Sequence, residues 1–281
     1  MISLAEQLKG KRVGLALSSG YFGFYHHAGV LKAVLERGIT PVKITGTSAG
    51  AIVAAMYASG LSPDEISKTL LSIKRADFWD MHWPLSRLGF GLLSGNKLRT
   101  LLERVLQVSS FEDCQCSLTV GAYELNTGRV HHLSQGALSL AVYASCAYPY
   151  LFTPITINGN RYWDGGFGEK TPLVPFLNEP KTDAVIISYI PLRNLKPESG
   201  ISPSLSSLFA KVPPEERIER DQESVRLLRA ANKQVFVLAP PSILLGPFAL
   251  NQAPQAFKQG YTETVTLLDS TVPVSGHKLL F

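Results

Sequence analysis

Residues 41–60, PVKITGTSAGAIVAAMYASG, decide how the rest of the chain is read. A short apolar run, Val42 to Thr45, leads into Gly46-Thr47-Ser48-Ala49-Gly50, and the small and apolar residues from Ala51 to Leu61 have helical character. This is G-x-S-x-G in the order strand, sharp turn, helix, a context that lifts a serine hydroxyl above a sheet edge. Gly46 and Gly50 let strand and helix approach where a Cβ would clash. The helix N-terminus beneath Ser48 favours negative charge developing at a reaction centre. The stretch predicts Ser48 as a nucleophile.

Working outward, Val13 to Ser18 is a short apolar run that suits a buried parallel strand, and Ala28 to Arg37 has helical periodicity stopped by Gly38. Strand, helix, strand and helix within about fifty residues predict a βαβ unit and a parallel sheet. Ser62-Pro63-Asp64-Glu65 opens a helix to Ile73, and Asn96 to Val105 is a further amphipathic helix. Leu118–Asn126 and Arg129–Leu133 read as a hairpin, as do the strands flanking Asn158-Gly159-Asn160. A helix from Ala137 to Cys146, strands at 183–189 and 234–238, and helices at 215–232 and 255–268 complete the pattern. One domain over residues 10–281 is expected, with residues 191–214, rich in Pro, Ser and Lys, as a flexible surface insertion. The aromatic-rich stretch 74–95 suits core packing under a loop, or a cap or membrane-facing segment.

The 281 residues are 45% hydrophobic and 17% charged, enough for a sizeable core. A charge of +5 and a pI near 9.0 suit an anionic membrane surface or acidic substrate. The basic residues are scattered without a nucleic-acid-binding motif, so no nucleic-acid partner is expected. Cys114, Cys116 and Cys146 are too few for a disulfide framework, which favours a reducing, cytoplasmic setting. No signal peptide or spanning segment is evident, so membrane contact is expected to be peripheral. The carboxylates lack metal-loop spacing, and neither metal nor other cofactor is expected. Oligomeric state is left open.

A nucleophilic serine needs a base. Of the six histidines, His277 stands close to the C-terminus and His131 and His132 occupy adjacent strand positions that point to opposite faces. Asp164, at a strand end before Gly165 and Gly166, is the other candidate, although Asp-Gly is first of all a turn signal. A buried carboxylate there would accept the Ser48 proton directly.

Read together, Leu15-Ala16-Leu17-Ser18 with its glycine-bearing loop, Gly46 to Gly50, and Asp164-Gly165-Gly166 resemble the patatin-like phospholipases. Ala28 to Ala33, Gly91 to Gly95, Ala144 to Pro154 and Pro172 extend the resemblance over roughly residues 13 to 190. It implies a single three-layer α/β domain, a mostly parallel sheet flanked by helices. It also implies hydrolysis of acyl-ester lipids by a serine–aspartate dyad, with Ser48 as nucleophile and Asp164 as base. The implied oxyanion hole consists of backbone N–H groups of Ser19, Gly20 and Tyr21. Here the chain departs from the pattern: Ser19-Gly20-Tyr21 stands where a triple glycine is usual, Gly23 replaces an Arg or Lys, and Phe24 a glycine. Tyr21 is expected to meet the conformational cost that glycine avoids. Lys170 stands where an asparagine is common. Two alternatives share the fold: a lipid-binding or regulatory protein with impaired catalysis, and an acyltransferase using the same dyad.

Overall fold

Five neighbouring strands are apolar enough to be covered on both faces, and they form the parallel part of one sheet. The computed structural model describes residues 2–80, 91–191, 214–239, 243 and 245–271. In chain order the main elements are α1 (Leu4–Leu8), β1 (Val13–Leu17), α2 (Phe24–Glu36), β2 (Pro41–Thr47), α3 (Ala49–Ala58) and α4 (Pro63–Ser72). There follow β3 (Gly91–Leu93), α5 (Asn96–Val105), β4 (Ser117–Glu124), β5 (Arg129–Leu133), α6 (Leu138–Cys146), β6 (Tyr150–Phe152), β7 (Ile155–Ile157) and β8 (Asn160–Asp164). The last are β9 (Ala184–Ser188), α7 (Pro214–Ala230), β10 (Gln234–Leu238) and α8 (Ala253–Asp269).

The sheet runs β10-β9-β1-β2-β4-β8-β7, with β5 also on β4. The strands from β10 to β4 are parallel, whereas β5, β8 and β7 pair antiparallel. Alternate residues separate two cores. Leu15, Leu17, Ile44 and Ile186 join buried residues of α2, α3, α6 and α8. Ala16, Val185, Ile187 and Val235 face Phe176 and Val225 and Leu228 of α7. Burial on both faces explains the continuous apolar runs of β1 and β9. The result is the expected three-layer α/β fold.

One detail of register positions the site. β2 pairs with β4 as far as Thr47 opposite Gly121, and β8 takes over the same edge with Asp164 opposite Ala122. β5 occupies the other edge there. β2 runs parallel to β4 and β8 antiparallel, so their C-terminal ends meet head to head.

Both expected hairpins form. Asn158 and Gly159 have φ of 50° and 82°, as a tight two-residue turn requires. Ser62 and Glu65 make a capping box with Pro63 in the first turn of α4. Helix α2 starts at Phe24, four residues before the expected Ala28, because Tyr25, His26 and His27 are buried on the helix instead of lining a loop. The small parallel pair β3–β6 and the capped helix α1 escape the periodicity reading, since each is too short to show a period. Residues 192–213 and 81–90, which hold most of the expected insertion and half of the expected cap, lie outside the described residues. Among the described residues no helix is long and apolar enough to cross a membrane.

Candidate active site

Ser48 is the single residue between β2 and α3, with φ 54° and ψ −118°, a conformation that side chains rarely adopt. A Cβ on Gly46 would lie 2.5 Å from the Gly50 carbonyl oxygen, and one on Gly50 2.3 Å from that of Leu17. The two glycines therefore let α3 lean on the ends of β2 and β1. The elbow is also held from α6: the Ser48 N–H donates to Ser145 Oγ at 2.8 Å, and Ser145 Oγ donates to the Gly121 carbonyl at 2.6 Å. Cys146 Sγ lies 3.3 Å from the Ser48 carbonyl oxygen.

Ser48 Oγ donates to Asp164 Oδ2 at 2.6 Å, across 116 residues of sequence. The other carboxylate oxygen, Oδ1, accepts the Gly166 N–H at 2.8 Å, and the Asp164 N–H donates to the Ala147 carbonyl at 2.9 Å. Asp164 is 4% exposed. Burial raises its pKa to about 6, against the opposing pull of the Ser48 hydroxyl, the Gly166 amide and the Arg217 charge. A carboxylate so tuned is a better proton acceptor near neutral pH than an exposed one. A Cβ on Gly165 would lie 2.2 Å from the Gly121 carbonyl oxygen, and one on Gly166 2.7 Å from the Ser19 side chain. The Asp-Gly-Gly triplet thus fits between β4 and the loop after β1.

Three of the described histidines, His27, His131 and His132, are engaged elsewhere, and His26 is buried on α2. His131 contacts Glu124 at 2.5 Å and His132 contacts Glu169 at 2.7 Å. His27 Nε2 lies 2.8 Å from the Ser18 carbonyl oxygen, which can only accept, so Nδ1 of the neutral ring accepts from Ser188 Oγ at 2.8 Å. Burial lowers its pKa to about 3 and that of neighbouring His26 to about 4. His82 and His277 lie outside the described residues.

The patatin-like phospholipase family model matches residues 15–177, which include Ser48 and Asp164. The chain belongs to the patatin-like phospholipase family. An uncharacterised protein of the NTE family from Mycobacterium bovis is 31% identical over 179 residues, 63% of this chain and 49% of that protein. The lysophospholipase NTE1 of Coccidioides immitis is 29% identical over 166 residues, 58% of this chain and 10% of that protein. The chain thus spans half or less of the length of these curated relatives. Among solved structures, VipD from Legionella pneumophila superposes with a TM-score of 0.55 at 15% identity, covering 92% of this chain and 67% of that one, a likeness of fold alone.

Within this patatin-like framework the loop after β1 differs from expectation. It ends at Gly23, the N-cap of α2, so Phe24 belongs to the helix. The residue with positive φ is Phe22, at 53°, and not Tyr21. The Ser19 N–H donates to the Lys170 carbonyl at 2.7 Å, which narrows the candidate oxyanion donors to Gly20 and Tyr21. Among the described residues those two N–H groups have no acceptor.

Helix α7 straps the loop after Asp164 from outside. Arg217 Nη1 donates to the Gly166 carbonyl at 2.6 Å, Arg220 Nη1 to that of Gly168 at 3.3 Å, and Asp221 accepts from the Thr171 N–H and Oγ1 at 3.3 and 3.0 Å. Their spacing of three and four puts all three side chains on one helix face. Sequence reading gave neither this strap nor Ser145 a role, because an Arg-x-x-Arg-Asp run resembles any solvated helix face. Among the described residues no group of three or more His, Cys, Asp or Glu could hold a metal ion.

Proposed function

We propose that this patatin-like chain hydrolyses carboxylic esters of acyl lipids through a Ser48 acyl-enzyme, with Asp164 as general base. The observation that carries the reading is the 2.6 Å Ser48–Asp164 hydrogen bond at a strained strand-to-helix elbow. Ser48 Oγ attacks the ester carbonyl carbon as its proton passes to Asp164 Oδ2. The oxyanion is held by the Gly20 and Tyr21 amides, each worth on the order of 3 kcal/mol if well aimed. Collapse expels the alcohol, which takes the proton from Asp164. Water then gives a proton to Asp164 and attacks the acyl-enzyme, and collapse returns the proton to Ser48 Oγ and frees the fatty acid.

A lysophospholipid is the first substrate to try, given the name of the fungal relative. Tyr21, Tyr148 and Tyr150 are each at least 40% exposed, and Tyr21 lies two residues after Ser19, which packs against Gly166. We read these rings as a peripheral lipid-facing surface. The test is a lipid-panel hydrolysis assay beside fluorophosphonate labelling. Labelling at Ser48 and turnover lost in Ser48→Ala support the reading; turnover surviving in Asp164→Asn sinks the dyad. Acyltransfer is separated by product analysis with a lysolipid or monoacylglycerol acceptor. Fatty-acid binding without labelling or turnover points to a non-catalytic role.

A further inference from the structure

Lys170 is 2% exposed, an expensive place for an ammonium group. Among the described residues no ion pair involves it. Its Nζ donates to the Ser19 carbonyl at 3.3 Å and stands 5.0 Å from the centroid of the Tyr189 ring. Its backbone carbonyl accepts the Ser19 N–H at 2.7 Å. One residue thus grips Ser19 by both its amide and its carbonyl, while Gly166 packs against the same side chain.

We propose that Lys170 is the positioning residue of the oxyanion loop: by holding Ser19 at both backbone groups, it sets the Gly20 and Tyr21 amides where the transition state needs them. This rests on the acyl-hydrolase reading of Ser48 and Asp164. Around Lys170 the described charged neighbours are Asp221 and Arg217, both on α7; Asp221 favours its ammonium and Arg217 disfavours it. Burial brings its pKa down to about 7, and both its amine and its ammonium can donate to the Ser19 carbonyl. The brace therefore holds in either protonation state. It also makes the segment carrying the base and the segment carrying the oxyanion donors a single unit. Among the described residues Lys170 makes no hydrogen bond or ion pair with Asp164, so its effect runs through the loop and not through the base.

The test compares the full-length protein with Lys170→Met on a soluble fatty-acyl ester. We expect kcat to fall on the order of 10- to 100-fold with KM within about threefold, the signature of displaced oxyanion donors. A fatty-acyl trifluoromethyl ketone, which forms a tetrahedral adduct with Ser48, should weaken by the same factor as kcat/KM. Inhibition by a fatty alcohol of the same chain length, which has no carbonyl to become an oxyanion, should not change, nor should the acid limb of the pH profile. Wild-type kcat in folded Lys170→Met overturns the proposal, as does an equal loss of ketone and fatty-alcohol affinity. Should that variant fail to fold, the same comparison is made in an Asp221→Asn background, which removes the buried carboxyl otherwise left behind, with Asp221→Asn alone as reference. Absence of hydrolysis and Ser48 labelling in the unaltered protein overturns the acyl-hydrolase reading itself, and is told apart because it precedes any substitution.

Discussion

Two loops leave neighbouring parallel strands, β1 and β2, where Leu17 ends β1 opposite Gly46, the next-to-last residue of β2. Each contains one non-glycine residue at positive φ, Phe22 at 53° and Ser48 at 54°. There the likeness ends. The β2 turn is one residue long, with Gly46 and Gly50 two positions to either side, and its strain falls on Ser48, the proposed nucleophile. The β1 turn runs from Ser18 to Gly23, and its strain falls on Phe22, whose ring lies 5.6 Å from Phe24 and 5.7 Å from Phe78 between centroids. The short turn is shaped mainly by its own residues, with Ser145 on α6 as a tie from outside. The long one is held from outside, by His27 on the Ser18 carbonyl, by the Ile190 N–H on Ser18 Oγ at 2.9 Å, and by Lys170 on Ser19. A loop short of glycine can keep its shape when side chains from other elements bond its backbone.

The largest expected effect breaks the short turn's chemistry. Ser48→Ala and Asp164→Asn should each lower kcat/KM for ester hydrolysis by about 10³-fold or more. Asp164→Asn should also melt higher than the parent at pH 7. The folded-state pKa of Asp164 is raised, so the buried carboxylate costs nothing below about pH 4, where both states are protonated, and its full cost applies above about 6. The gain in melting temperature should therefore vanish on acidification to pH 4.

Next, matched glycine substitutions separate the two loops. Gly50→Ala drives a Cβ into the Leu17 backbone and should cost roughly 2–3 kcal/mol, with hydrolysis down on the order of 100-fold. Gly20→Ala meets the Ile190 side chain, which can shift, and should cost about 1 kcal/mol with no more than a tenfold loss. Equal losses would mean that the two turns are equally rigid. Denaturant melts and initial rates on the same preparations decide between these outcomes.

A smaller effect concerns pH. As the proposed base, Asp164 must be ionised, so kcat/KM should be flat above its pKa of about 6 and fall about tenfold per unit below it. His131→Gln and His132→Gln should leave that midpoint in place. The smallest effect concerns strain: Ser48→Gly, though inactive, should raise the melting temperature by about 2–4 °C, as about 1 kcal/mol of backbone strain is released. Phe22→Gly should lower it, because the ring packing lost outweighs the strain relieved.

The sequence by itself determined the elbow, the parallel βαβ start, both hairpins and the capped helix α4. Each depends on residues within a few positions of one another, through period, capping and turn chemistry. It also singled out Asp164 as a candidate, though the residues alone left Asp-Gly as a plain turn and only the resemblance raised it to a partner. Tertiary structure decided the rest. Ser48 meets Asp164 because β2 and β8 share one edge of β4 and end on adjacent rows, Thr47–Gly121 and Asp164–Ala122. Ser145 and Arg217 acquire their roles in the same way, by where α6 and α7 come to rest. Lys170 and the glycine-poor loop read as two separate departures from the family pattern, and folding places one against the other. A local motif carries its own geometry, whereas a brace between distant segments depends on sheet register and helix packing, which single positions along a chain do not encode.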